Sequence, residues 1–120
     1  MVTAKFFSEG EFQRATPSGS LQDMNQEFMN RLDKTRERAG IPFVVNSAFR
    51  SVEHEMSRGR AGTSSHTTGR AIDIRCNTDR NRFLILRAAI EEGFTRIGVH
   101  STFIHLDDSP NHTPEVVWFY

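Results

Sequence analysis

The chain is nearly free of cysteine: Cys76 stands alone among 120 residues. One thiol cannot close an internal disulfide, so a fold stapled by oxidation is excluded. Long apolar runs are missing too. No stretch of about 18 apolar residues occurs, so no membrane insertion is expected. An excess of either charge is also missing, since fifteen Lys and Arg balance fifteen Asp and Glu. Without a basic face there is no electrostatic footprint for nucleic acid. The first ten residues lack the basic start and apolar core of a signal peptide. The expected location is therefore cytoplasmic, or outside the cell after release by lysis. No internal repeat and no low-complexity tract is visible, and nothing requires a partner chain, so a monomer is expected.

What is present fits one domain over 1–120. A chain of this length buries roughly two thirds of its unfolded surface, enough for one modest core. Leu21, Met24, Phe28, Leu32, Thr35 and Ala39 recur at helical spacing and predict a helix over 21–39. Ser20 and Asp23 resemble a capping box, and Gly40 suits the position after the helix. Residues 41–47 read as a buried strand. Arg50 to Arg58 reads as a short helix or a loop, and 59–65 as a small polar loop. Strands follow over 71–76, 94–99 and 102–107, with a helix over 79–92 between the first two. In that helix Phe83, Leu86, Ala89 and Ile90 are expected inward. Gly98 and the Ser101 region are expected to form the turn between the last two strands. The apolar tail, Val116 to Tyr120, is expected to pack back on the domain. The pattern predicts an α+β fold: a small antiparallel sheet flanked by helices.

Strand alternation then sorts the chemistry. Ala71, Asp73 and Arg75 share one face of their strand, and Ile72, Ile74 and Cys76 share the other. Phe103, His105 and Asp107 likewise share a face. If the two strands pair, Asp73 and His105 project from the same side. His66 lies in the loop leading into the first strand, and Gly69 permits the turn that returns it over the sheet. Two imidazoles and one carboxylate make a three-ligand zinc set with a fourth position open, as catalytic zinc requires. Such a metal activates water near neutral pH. A proton carrier is then needed, for which Asp107 is the first candidate and Asp108 and His100 weaker ones. Arg50 is the candidate cation for a substrate carboxylate or a developing oxyanion. Each residue also has a plainer reading. A single histidine is more often a surface or hydrogen-bonded core residue, and Asp73 could pair with Arg70 or Arg75. His54 and His112 lack supporting context and read as surface residues. Cys76 reads as core.

The segment Ser64 to Asp73 resembles the Ser-x-His-x-x-Gly-x-Ala-x-Asp signature of zinc D-Ala-D-Ala carboxypeptidases and the related L-alanyl-D-glutamate peptidases. Ser47-Ala48-Phe49-Arg50-Ser51 is similar to the family's Ser-Gly-Tyr-Arg-Ser segment. Phe103-Ile104-His105-Leu106-Asp107 is similar to its final histidine strand. The resemblance implies the fold these peptidases share with the hedgehog signalling domain. It implies Zn2+ held by His66, Asp73 and His105, substrate binding by Arg50, and Ser64 close to the metal. His100 is a further candidate for substrate binding. The implied substrate is the stem peptide of peptidoglycan, cleaved as a D-Ala-D-Ala carboxypeptidase or an L-Ala-D-Glu endopeptidase would cleave it. Many members carry an acid or a histidine two or three positions before the last ligand, where this chain has Phe103 and Thr102. A compact subgroup shows the His-x-Asp arrangement seen at His105 and Asp107. The alternative to an enzyme is a non-catalytic zinc module that binds cell wall or a protein.

Overall fold

The computed structural model describes residues 1–15 and 19–120. Its elements in chain order are α1 (Glu9–Ala15), α2 (Gln26–Ala39), β1 (Val45–Ser47), α3 (Val52–Ser57), β2 (Ala71–Arg75), α4 (Asp79–Glu91), β3 (Arg96–Val99), β4 (Phe103–Asp107) and β5 (Val116–Phe119). Two single 3-10 turns, Leu21–Asp23 and Ser65–Thr68, complete the list.

The helix expected over 21–39 is broken in two. Ser20 and Asp23 do form the capping box, but it closes only the 3-10 turn. Asn25 then caps α2, its side chain accepting the Phe28 N–H. The apolar stripe survives the break: Leu21, Met24, Phe28, Leu32, Thr35 and Ala39 are all buried. Gly40 ends α2 in the left-handed region at φ 73°, which glycine enters without steric cost. Helix α1 was not anticipated from the sequence.

The five strands form one sheet in the order β1-β2-β4-β3-β5. Strands β1 to β4 pair antiparallel, but β5 runs parallel to β3 along the edge. The sheet is therefore mixed, which corrects the antiparallel expectation. The tail packs back as expected, and it does so by hydrogen-bonding: the Val116 N–H donates to Thr95 O at 3.0 Å and the Tyr120 N–H to Val99 O at 3.1 Å. Gly98 lies within β3, and the turn to β4 closes through His100, whose N–H donates to the Phe103 carbonyl.

One hydrophobic cluster joins Ile72, Ile74, Ile97, Ile104 and Leu106 from the sheet to Phe28, Leu32, Ile85, Ala88 and Ala89 from α2 and α4. Cys76 is buried with them. In α4 Ala89 is buried and Leu86 packs against the core as expected, but the other two residues expected inward are not. Phe83 and Ile90 are 58% and 62% exposed, while Ile85, Ala88 and Ala89 face the core. The Arg87 guanidinium covers the exposed Phe83 ring. Burying one sheet face this way leaves the other face for polar chemistry.

Candidate metal centre

Strands β2 and β4 pair in register with Asp73 directly across from His105. Side chains at directly opposed positions share a face and lie close together. His66 arrives from the turn Ser65–Thr68, whose start is capped by Ser64: its Oγ accepts the His66 N–H at 3.3 Å. Gly69 ends that turn at φ 72°. A Cβ at Gly69 would collide with the backbone of Asp23 and Met24. This one glycine therefore both reverses the chain and lets the turn pack against the start of α2. The Arg50 N–H donates to the His66 carbonyl at 3.1 Å, which ties the turn to the segment after β1.

His66, Asp73 and His105 form one cluster, with a ligand atom from each within 4.8 Å of the others. Asp73 Oδ1 lies 3.5 Å from His66 Nε2 and 2.9 Å from His105 Nδ1. The far nitrogens are both engaged. His66 Nδ1–H donates to the Ala48 carbonyl at 2.6 Å, and His105 Nε2–H donates to Asp107 Oδ2 at 2.6 Å. Burial pushes the Asp73 carboxyl up, but hydrogen bonds from His105 and His66 and their charge hold it well below the usual carboxylate range. Burial also pushes the His105 ring down, and its bonds to Asp107 and Asp73 overturn that and raise it.

Asp107 is wholly buried behind His105. Its Oδ2 also accepts the Ser65 hydroxyl at 3.1 Å. Its Oδ1 accepts the Ser109 N–H at 3.2 Å and lies 2.9 Å from Arg96 Nε. Burial raises the Asp107 carboxyl, and the His105 bond and charge, the Ser109 N–H and Arg96 together bring it below its ordinary value. Asp108 points elsewhere, held by Arg31 at 2.9 Å and by Arg70 at 2.9 Å. Arg70 is thereby taken from Asp73, which pairs with the two histidines.

The cluster opens into a cleft of about 420 Å³. Arg50, Arg60 and Arg96 give it cationic walls; Phe103, Trp118 and Tyr120 give it an aromatic one. Ser64 lines it too, with its hydroxyl donating to Glu55 Oε1 at 2.7 Å. Trp118 leans on His105, ring centroids 5.3 Å apart. Gly98 makes that placement possible, since any Cβ there would fall 2.7 Å from the indole. His100 stacks on Phe103 at 4.5 Å and touches Tyr120 at 5.7 Å, so it buttresses the aromatic wall from the hairpin. Burial and the charge of Asp73 push the Tyr120 phenol up.

Residues missed from the sequence also line this space. His112, read as a surface residue, is in the cleft, its Nδ1 2.8 Å from Ser109 Oγ. The loop carrying it gave no periodic signal. Trp118 and Tyr120 were read only as apolar ballast, although alternation along the tail would have put Val116, Trp118 and Tyr120 on one face.

The profile of the family described as Peptidase M15 matches residues 4–107. The chain belongs to the peptidase M15 family. A solved structure of similar fold, the Serratia marcescens L-Ala D-Glu endopeptidase ChiX, superposes with a TM-score of 0.54. It is 17% identical and the match covers 85% of this chain and 89% of that one. No curated protein sequence matches this chain. Strand β5, which brings Trp118 and Tyr120 to the M15 cleft, lies beyond the matched residues.

The donor set of this M15 chain fits zinc. Each histidine commits one nitrogen to a buried acceptor and turns the other to Asp73, which is how ligating imidazoles are oriented. Two nitrogens and a carboxylate oxygen are the ligand types of an open, catalytic zinc site. Among the described residues no helix is long and apolar enough to cross a membrane.

Proposed function

We propose that this peptidase is zinc-dependent and hydrolyses a peptide bond in peptidoglycan stem peptides. The observation that carries this reading is the convergence of His66 Nε2, Asp73 Oδ1 and His105 Nδ1, with both imidazoles held from behind. The M15 membership supports the peptidase class, and the similarity in fold to an L-Ala D-Glu endopeptidase supports the substrate class.

His66, Asp73 and His105 would hold the zinc, which when bound supplies Lewis acidity toward a scissile carbonyl and toward water. The chain's own residues do the remainder. Asp107 keeps the proton on His105 Nε2 and fixes the ring, so we assign it an orienting role; both its oxygens are already engaged. We therefore look beyond Asp107 for the proton carrier. His112 lines the same cleft outside the ligand set, bonded to Ser109, and an imidazole can both accept and donate a proton. We assign it the transfer to the leaving amine. Arg50 binds the peptide carboxylate, and the aromatic wall packs the peptide and excludes water.

The test is metal analysis of the purified chain beside His66→Ala, followed by digestion of peptidoglycan and assay of released amines. One zinc per chain and amine release, both lost in His66→Ala, is the expected result. Unchanged turnover in His66→Ala would sink the assignment. One zinc with no amine released would favour a zinc-binding module. His112→Gln is expected to lower kcat by about 10²–10⁴-fold with zinc content unchanged.

A further inference from the structure

Glu55 carries a charge in a place that should not tolerate one. It belongs to the short helix α3 and its side chain is fully buried. A buried carboxylate is costly unless it is paired and hydrogen-bonded. Glu55 is both, and its partners share one property. Its Oε1 accepts the Ser64 hydroxyl at 2.7 Å and lies 3.5 Å from Arg50 Nε. Its Oε2 accepts Arg60 Nη1–H at 2.9 Å. Ser64, Arg50 and Arg60 all line the cleft. Ser64 in turn accepts the His66 N–H. One carboxylate thus joins two arginines to the turn that carries a metal-ligand candidate. Two guanidinium groups against one carboxylate leave a net positive charge facing the cleft. The Arg50 Nε is buried without a hydrogen bond, and the Glu55 carboxylate is the opposite charge beside it.

We propose that Glu55 is a positioning residue: it fixes the Arg50 guanidinium beside His66, Asp73 and His105 as the site for a peptide's carboxylate. The inference rests on the reading of Arg50 given above and adds what sets its geometry. An acid needed only to brace residues 59–64 would satisfy Ser64 and Arg60 and leave Arg50 indifferent to it.

The test follows the Arg50 Nε–H signal by nitrogen-15 NMR in the zinc-supplied protein. N-acetyl-D-alanine is the carboxylate probe, and its amide is the control. The wild-type signal is expected to respond to the acid and not to the amide. In Glu55→Gln the midpoint is expected to rise at least tenfold with zinc content unchanged. Glu55→Asp keeps the charge but shortens its reach, and the same rise is expected there, so a poorly folding Gln variant does not end the test. By calorimetry, Glu55→Gln is expected to weaken probe binding no further once Arg50→Ala is present. An unchanged midpoint, a silent wild-type signal, or an equal additional loss in the Arg50→Ala background would each overturn the proposal. Peptidoglycan hydrolysis is scored separately: activity alongside an unchanged midpoint removes the role of Glu55 and leaves the peptidase reading standing.

Discussion

His105 lies between two carboxylates, Asp73 on Nδ1 and Asp107 on Nε2, and the two bonds have different meanings. The Asp73 bond occupies the edge that would face a metal. The Asp107 bond selects the tautomer that frees that edge. Removing the Asp107 charge while keeping its shape should therefore act on metal affinity. Asp107→Asn is expected to weaken zinc binding about 10–100-fold, the usual cost of losing a carboxylate behind a ligating histidine. Competition with a chromophoric chelator measures it; an unchanged affinity would argue that His105 needs no such support. Glu55 makes a second prediction at this scale. Burial raises its carboxyl, but Ser64, Arg50 and Arg60 together hold it below its ordinary value. A depressed folded pKa adds stability above the unfolded pKa, which is lost as the pH falls through the folded one. The stability gap between wild type and Glu55→Gln should thus be wide at pH 7 and shrink in acid. Urea unfolding at both pH values checks this, and an equal gap at both would contradict it.

Elements place these residues, and glycines at element ends and crossings set the tolerances. Gly69→Ala would put a side chain at positive φ and drive it into the backbone before α2. Stability is expected to fall by more than about 1 kcal/mol, with zinc affinity falling as His66 shifts. Retained melting temperature and retained affinity together would show that the turn adapts. The same scale explains what was legible in the sequence. Period-2 alternation in β2 and β4 put Asp73 and His105 on one face, and the pairing register then brought them opposite each other. The core stripe of α2 was readable because Phe28, Leu32, Thr35 and Ala39 share one helical face. In α4 Phe83 competed with Ile85 for the inward face, and the buried face turned out to run through Ile85, Ala88 and Ala89, where the alanines carry little weight in a hydropathy pattern. The parallel edge strand β5 was not readable either, since strand direction depends on where a loop returns in space. His112 and Glu55 depend on contacts across 3 and 9 residues of irregular or turn backbone, where no periodicity exists to read.

At the scale of the whole molecule, the centre is a meeting point for distant parts of one small chain. His66 hangs from a turn braced by α2 and the segment after β1, while Asp73 and His105 come from neighbouring strands. A metal bound there would cross-link all of them in the folded state alone. Zinc at about a hundred times its Kd is expected to add about 2.7 kcal/mol of stability. Thermal unfolding with and without zinc reads this directly. His66→Ala should abolish the gain, and an equal gain in that variant would mean the metal binds elsewhere.

Trp118 is the chain's one tryptophan, and it rests against a metal-ligand candidate. Indole emission is sensitive to the charge of an adjacent imidazole and to the water around it. The protein therefore carries an intrinsic fluorophore at its own cleft, with no second indole to dilute the signal. Occupancy of the centre, and entry of a peptide beside it, should be visible as a change in emission from the unlabelled chain.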